Sequence, residues 1–186
     1  MGFNSHLELV GKHAFLSPST YHWINYTDDK LITRFLTFQA AMRGSELHEL
    51  AHNAIRLGVK LRGNQTLASY VNDAIGFRMT PEQPLYYSDN CFGTADAIAF
   101  RRGMLRIHDL KTGVSPVSMK QLMVYAALYC LEYRKKPGEM AMELRIYQND
   151  EVQVYNPEVD EIAHIMDRII TFDRKIDQLR AEESSW

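Results

Sequence analysis

Apolar and polar positions alternate along two short segments in the middle of the chain. The segments cover residues 97–100 and 105–108, and the four residues Arg101-Arg102-Gly103-Met104 separate them. Alternation with a period of two is typical of strands in a sheet, and a short link that contains glycine is typical of a hairpin. The pattern predicts an antiparallel β-hairpin. If its loop is Arg102-Gly103, Ile98 faces Ile107 across the two strands.

The register of this hairpin decides where two carboxylates lie. With the two-residue loop, Asp96 stands directly opposite Asp109, with Cβ atoms roughly 4.5–5.5 Å apart. Lys111 is two residues beyond Asp109 and therefore points to the same face. Like charges placed opposite each other repel, so we expect the pair to hold a cation. A three-residue loop would shift the pairing by one residue, and two ordinary surface aspartates remain the alternative.

Helical periodicity and capping signals predict helices on both sides of the hairpin. Arg43-Gly44-Ser45 is interpreted as a break between two helices, and Gly58 is a natural helix stop. The long helix near the C-terminus carries isoleucines at helical spacing. The predicted helices are a short one opened by Ser17-Pro18, others over residues 29–42, 46–57 and within 64–80, a buried one over 118–133, and an amphipathic one that starts at Pro157.

Further strands complete a mixed α/β pattern. Pro81 and Pro84 mark the entry to a first strand over residues 85–87. A second hairpin over residues 140–147 and 151–155 turns around Gln148-Asn149-Asp150. Helices, hairpin, buried helix, hairpin and helix follow one another, and this order predicts a central mixed sheet flanked by helices.

Composition limits the class of protein. The chain has 186 residues, of which 46% are hydrophobic and 24% are charged, so we expect one globular domain. A net charge of −2 predicts no strong non-specific attraction to nucleic acid. Its two cysteines, Cys91 and Cys130, are too few for a four-cysteine metal or iron–sulfur site. No apolar run approaches ~20 residues and no signal-peptide core is visible, so we expect a cytoplasmic protein without a membrane segment.

One short motif suggests a zinc peptidase. His48-Glu49-Leu50-Ala51-His52 matches the H-E-x-x-H pattern, in which two histidines bind zinc and the glutamate acts as a base. The extended form of the motif is absent, because Ile55 and Gly58 occupy its glycine and third-histidine positions. His48 has a second possible use. One imidazole added to two carboxylates makes a mixed nitrogen and oxygen site that suits Mg²⁺ or Mn²⁺.

Four motifs occur in a fixed order along the chain. They are Gly44-x-x-x-His48, Gly93-x-x-Asp96, Asp109-x-Lys111 and Gln121-x-x-x-Tyr125. Together they resemble the PD-(D/E)XK nuclease superfamily, and in particular its RecB-like exonuclease branch, which includes CRISPR adaptation nucleases and many phage exonucleases. The resemblance covers roughly residues 15–130, and Leu16-Ser17-Pro18-Ser19 is also similar to that branch.

The resemblance implies roles for single residues. Lys111 would position the attacking water, and Gln121 and Tyr125 would support the site or contact the DNA backbone. Glu82 lies where such proteins often carry an acidic residue, and it is not counted among the ligands. The implied ligands of Mg²⁺ or Mn²⁺ are the side chains of His48, Asp96 and Asp109 and the backbone carbonyl of Leu110.

Two departures from the family pattern are visible. Asp109 stands where the family usually has glutamate, one methylene longer. Many relatives hold an iron–sulfur cluster with four cysteines, and none is expected here because the chain has only two.

The implied fold is a restriction-endonuclease-like core within a single nuclease domain, residues 1–186. It would consist of a helical N-terminal part, 1–80, a catalytic core, 81–156, and a C-terminal helix, 157–183.

The implied activity is metal-dependent hydrolysis of DNA, by an exonuclease of phage or bacterial recombination or repair. DNA is the expected partner, together with a recombination or single-strand-annealing protein, and an oligomer is compatible with the sequence. The protein would then act in the cytoplasm, that of the host if it is phage-encoded. A zinc metallopeptidase and a non-catalytic DNA-binding relative are the alternatives.

Overall fold

A computed structural model describes residue 7 and residues 14–183, which form two compact units that divide between Ser45 and Glu46. The first unit contains a 3-10 helix, Pro18–Asn25, at the predicted Ser17-Pro18 start. In this unit the ring of Phe15 packs on Phe35 and Phe38, with centroids 5.2 and 5.4 Å apart. Part of the predicted N-terminal segment, residues 1–6 and 8–13, lies outside the described residues.

The helix that precedes the sheet is longer than expected. Helix α1 runs over Asp28–Leu57 without interruption, so the predicted break at Arg43-Gly44-Ser45 is wrong. A single glycine inside a helix costs only about 1 kcal/mol, which a long helix tolerates. The predicted stop at Gly58 is confirmed. Its φ is +68°, and the N–H of Val59 donates to the carbonyl of Ala54 at 2.9 Å. The predicted helix within 64–80 is α2, Thr66–Gly76.

Five strands form one mixed sheet in the second unit. Their spatial order follows the sequence, and all neighbours are antiparallel except β3 and β4, which are parallel. The first strand starts five residues earlier than predicted. It contains both prolines, which an edge strand tolerates because proline cannot donate to a ladder. The strands are β1 Thr80–Ser88, β2 Cys91–Arg101, β3 Met104–Leu110, β4 Ala141–Gln148 and β5 Glu151–Tyr155.

Both predicted hairpins are confirmed. In the β2–β3 pair, Ile98 faces Ile107, so the loop is the two residues Arg102-Gly103. Their φ values of 51° and 74° are typical of the type I′ turn that matches strand twist. The β4–β5 loop is also two residues long, because Gln148 pairs with Glu151.

Helices cover both faces of the sheet. Helix α3, Lys120–Glu132, connects the parallel strands β3 and β4, and α4, Val159–Glu183, packs on α3. Leu122 of α3 and Ile162 of α4 are fully buried in the core on this face. On the other face, α2 and the end of α1 bury Val71 and Ala51 with Tyr147 of β4. The expected central mixed sheet flanked by helices is therefore present. Among the described residues, no helix has the length and apolarity needed to cross a bilayer.

Candidate metal centre

The hydrogen-bonded ladder between β2 and β3 ends next to Asp96. The pair farthest from the turn is Ala97 with His108, and Asp96 immediately precedes Ala97 in β2. Its carboxylate oxygen Oδ2 accepts the N–H of Leu110 at 2.9 Å, where a strand partner would otherwise accept it. The β3 strand itself continues alongside β4 through Leu110. The side chain of Asp96 thus takes over a backbone bond at the point where β2 and β3 stop pairing.

Three neighbouring strands each bring one acidic residue to this level of the sheet. In the β1–β2 ladder Pro81 pairs with Ala97 and Gln83 pairs with Ala95, so Glu82 lies between these pairs at the level of Asp96. Continuing the β2–β3 register by one pair places Asp109 opposite Asp96 on the other side. Glu82 has a φ of 49°, a left-handed conformation that is uncommon for a residue other than glycine. A row of three carboxylates on adjacent strands is unfavourable without positive charge nearby.

A histidine from α1 joins two of these carboxylates. Nδ1 of His48 lies 3.6 Å from Oδ2 of Asp96. One potential ligand atom from each of His48, Glu82 and Asp96 lies within 4.8 Å of the others, and no other group of this kind occurs in the described part of the chain. We call these three residues the His48 cluster. An imidazole with two carboxylates fits a divalent cation such as Mn²⁺ or Mg²⁺.

Asp109 has a different set of partners. The Nζ atom of Lys111 donates to its Oδ1 at 3.0 Å and lies 2.9 Å from Oδ2. The same ammonium donates to Oε1 of Gln121 at 3.0 Å, and Nε2 of Gln121 lies 3.5 Å from the hydroxyl of Tyr125. The side chain of Asp109 is only 4% exposed, and its buried Oδ2 has no partner with hydrogen-bond geometry.

The predicted site residues therefore form two neighbouring groups. His48 and Asp96 lie together, and Asp109, Lys111, Gln121 and Tyr125 form a chain of contacts that leads to α3. Asp109 is not a member of the His48 cluster, and its carboxylate contacts Lys111 instead. The coordination of one ion by His48, Asp96, Asp109 and the carbonyl of Leu110 stays a prediction.

Gly93 is required for the position of Tyr125. A Cβ atom on Gly93 would lie 3.1 Å from Cε1 of Tyr125, which is closer than most carbon contacts. A side chain at this position would push the tyrosine ring away. The glycine of the motif Gly93-x-x-Asp96 thus brings the β2 backbone against α3, beside the contact of Tyr125 with Gln121.

The carboxyl group of Asp96 is surrounded by more negative than positive charge. Burial, and then the charge of Asp109, raise the pKa of Asp96 to about 6, against the lowering effects of the Leu110 N–H and His48. Tyr70 of α2 is affected by the same negative charges. Its pKa is raised by burial first, and then by the charges of Asp96, Glu82 and Asp109. A divalent cation at the His48 cluster would remove this surplus of negative charge.

His108 lies on the opposite face of β3 from Asp109, as predicted. The hydroxyl of Tyr147 donates to Asp73 at 2.7 Å and lies 3.2 Å from Nδ1 of His108, so Nδ1–H is the donor in the second contact. Burial, and then Arg145 and Arg106, lower the pKa of His108 to about 3. This histidine is therefore neutral near pH 7, and it is held in the core away from the His48 cluster.

The zinc-peptidase motif does not form a three-ligand group. Glu49 is exposed, and His52 lies one helical turn beyond His48 with a buried Nδ1 that has no hydrogen-bond partner. Within the described residues, no group of potential ligands contains both His48 and His52. The partners of His48 are instead carboxylates from the sheet.

Glu82 is the residue that sequence reasoning left out of the ligand set. Its place depends on the pairing of β1 with β2, and that pairing starts at Thr80. A first strand restricted to residues 85–87 cannot place Glu82 next to Asp96. A first strand that extended back through Pro81 would have placed Glu82 beside Asp96.

Neither a scan of the chain against protein-family models nor a search of curated proteins gives a match.

Proposed function

We propose that the protein is a divalent-metal-dependent DNA nuclease built on a PD-(D/E)XK core. The observation that supports this proposal most strongly is the row of carboxylates on three adjacent strands, with His48 beside Asp96 and Glu82 and with Lys111 beside Asp109. Phosphodiester hydrolysis needs an activated water and stabilisation of a crowded negative charge. Acidic ligands for a cation and a neighbouring ammonium group are suited to both tasks.

The His48 cluster is the part that would hold the metal ion. Its donors are one imidazole nitrogen and carboxylate oxygens, a set that fits Mn²⁺ well and Mg²⁺ with more water ligands. The raised pKa of Asp96, caused first by burial and then by the charge of Asp109, is consistent with a need for positive charge here. A bound divalent cation would lower the pKa of a water molecule and stabilise negative charge on phosphate oxygens.

Lys111 is the residue that would act on substrate. Its side chain is 31% exposed, whereas the Asp109 side chain that holds it is 4% exposed. The ammonium group is therefore fixed from the protein side by Asp109 and Gln121, while part of the Lys111 side chain faces solvent. From there it can donate to an attacking water or to a phosphate oxygen. Gln121 and Tyr125 act as positioning residues, because they orient the ammonium group rather than reach the water themselves.

The finer parts of the proposal follow from the resemblance of the motifs. An exonuclease in phage or bacterial recombination or repair would act on linear DNA in the cytoplasm, next to a recombination or single-strand-annealing partner. With a net charge of −2, contacts to DNA must come from local basic clusters and not from overall attraction.

The test compares two substitutions in the site with two matched substitutions elsewhere. Asp109→Ala and Lys111→Ala are expected to abolish cleavage of end-labelled linear DNA with Mg²⁺ or Mn²⁺, while circular dichroism shows that both variants remain folded. The controls are Asp167→Ala and Lys60→Ala, which remove the same charges at exposed positions. EDTA should stop cleavage by the wild-type protein, and closed circular DNA distinguishes an exonuclease from an endonuclease. Full activity in both site variants would reject the assignment.

The alternatives give opposite results in the same assays. A zinc peptidase would depend on Glu49 and be indifferent to Lys111, so Glu49→Ala is expected to leave DNA cleavage unchanged. A non-catalytic DNA-binding relative would show no turnover. Measurable cleavage of linear DNA by the purified protein, lost in Lys111→Ala, removes both alternatives.

A further inference from the structure

A second charged site lies at the turn end of the β2–β3 hairpin. A cleft of about 460 Å³ opens between the end of α2 and this turn. Phe77 forms part of its wall, and four arginines line it. We call it the arginine cleft, and its arginines are Arg78, Arg101, Arg102 and Arg106. Its volume is in the range of sites that hold a ligand group of nucleotide size.

Most of the positive charge in the cleft is unbalanced. Arg106 forms an ion pair with Glu143, with Nε and Oε1 3.0 Å apart. Arg78, Arg101 and Arg102 are exposed, and no carboxylate within the described ranges pairs with them. Three free guanidinium groups around one concave surface attract anions. Their planar, forked donors match two oxygens of one phosphate group, which a monatomic anion such as chloride does not offer.

Two of these arginines occupy backbone positions that favour other residues. Arg78 has a φ of 55° at the end of α2, where the N–H of Met79 donates to Ala74, and glycine is usual there. Arg102 has a φ of 51° as the first central residue of the type I′ turn, where asparagine is usual. Local backbone preference therefore does not explain an arginine at either position. Arg134 at the end of α3 has the same conformation, with a φ of 52°, and it lies outside the cleft.

The aromatic ring in the cleft is already in use. The guanidinium groups of Arg106 and Arg145 lie 4.4 and 4.9 Å from the centre of the Phe77 ring. Cation–π contacts of this kind hold both arginines in place. A nucleobase would have to displace one of them in order to stack on Phe77. The cleft is thus suited to recognise phosphate groups and not bases.

The arginine cleft is separate from the His48 cluster. The β3 strand runs from Met104, which lines the cleft, to Asp109. Five residues of strand span about 17 Å. That length corresponds to roughly five base-pair steps of duplex DNA at about 3.4 Å each. The side chains of Arg106 and Asp109 point to opposite faces of β3, so the cleft and the Asp109 carboxylate also lie on different sides of the sheet.

We propose that the arginine cleft is a second phosphate-binding site whose ligand is the phosphodiester backbone of a nucleic acid. A free polyphosphate would offer the same chemistry, and the experiment separates the two sources. The choice of DNA as the nucleic acid rests on the proposed nuclease function, whereas the recognition of phosphate does not.

Substitution by asparagine gives variants that should fold, because asparagine tolerates the left-handed conformation. Binding of a fluorescein-labelled duplex DNA in EDTA is followed by anisotropy at several salt concentrations. Arg78→Asn and Arg102→Asn are each expected to reduce the slope of log K against log salt by about 0.9, since each would lose one phosphate contact. The double variant should bind about tenfold or more weakly, while Arg134→Asn, the matched control, should bind like wild type.

A second probe is inorganic tripolyphosphate, which should displace the DNA from wild-type protein and from Arg134→Asn. Unchanged DNA binding in the double variant would overturn the proposal. Tripolyphosphate binding that depends on Arg78 and Arg102, without DNA binding, would overturn the nucleic acid as ligand. The nuclease proposal is tested separately. DNA binding that depends on the arginines, without any cleavage, would contradict the nuclease function but not the phosphate site. Cleavage together with DNA binding that does not depend on the arginines would contradict the phosphate site but not the nuclease function.

Discussion

At one end of the β2–β3 hairpin the charged side chains are carboxylates close to the core, and at the other end they are exposed guanidinium groups. Asp109 is buried and Asp96 accepts a backbone N–H, whereas Arg101 and Arg102 are exposed at the turn. An unbalanced charge that is buried is destabilising, so the acidic end favours a compact divalent ion bound at short distance. The basic end remains hydrated and favours a larger, salt-sensitive polyanion.

The two ends also differ in how the strands are paired. At the turn, the ladder continues to the last pair, Arg101 with Met104, and a type I′ loop closes it. Near Asp96 the ladder stops and a side chain takes a backbone donor. A regular turn exposes its side chains at little cost in free energy. At the buried charged site, β2 and β3 stop pairing and a side chain accepts the backbone N–H instead.

The largest expected effect is on cleavage at the acidic end. Asp96→Asn keeps the size of the side chain but removes the negative charge of Asp96, which lies next to His48 and Glu82. We expect a loss of about a thousandfold in cleavage rate, about 4 kcal/mol, because the metal centre would be lost. The measurement is turnover of end-labelled DNA at saturating Mn²⁺. Arg102→Asn at the basic end should retain the wild-type rate once DNA is saturating, and loss of turnover there under the same condition would break the distinction.

The next effect is a pH dependence of stability. Because the pKa of Asp96 is about 6 in the folded protein and 3.8 for an unperturbed aspartate, the folded state binds a proton that the unfolded state has released. Without metal, this contribution is present below about pH 4 and is lost as the pH rises through about 6, up to about 3 kcal/mol in total. Urea denaturation of wild type and Asp96→Asn over this range gives the difference. A wild-type protein that gains stability relative to the variant with rising pH would contradict the account.

Binding of Mn²⁺ should reverse that loss. At an ion concentration a hundred times the Kd, the free energy of unfolding is expected to rise by about 2.7 kcal/mol near pH 7. Glu82→Gln should weaken this stabilisation if Glu82 is a ligand, and thermal melts with increasing Mn²⁺ measure it. The control is Glu151→Gln, an exposed glutamate at the far edge of the sheet. Equal stabilisation of Glu82→Gln and the control would remove Glu82 from the ligand set.

The smallest effects concern two glycines. Gly103 has a φ of +74° and open space around it, so Gly103→Ala should cost about 1 kcal/mol of stability by backbone strain and leave cleavage unchanged. Gly93 is limited by space, since a Cβ would meet Tyr125 at 3.1 Å. Gly93→Ala should displace Tyr125 and lower the rate of cleavage with less loss of stability. Denaturation and cleavage assays on both variants separate the two causes, and the same profile in both variants would contradict them.

Short-range signals in the sequence determined much of the fold. The Arg102-Gly103 link and its flanking alternation predicted the β2–β3 register, and Gly58 predicted the end of α1. Turn chemistry and capping act between residues a few positions apart, so they are visible without a structure. Gly44 shows the limit of such signals. Its weak tendency to end a helix was overridden, and α1 continues through it.

Contacts between distant residues were decided only by the tertiary structure. Glu82 reaches Asp96 because β1 pairs with β2 from Thr80 onward, and its left-handed φ is not encoded by any local motif. Arg78 and Arg102 are 24 positions apart in the sequence and meet because the end of α2 packs beside the hairpin turn. Strand register and helix packing depend on burial summed over the whole core, and a local pattern does not contain that sum.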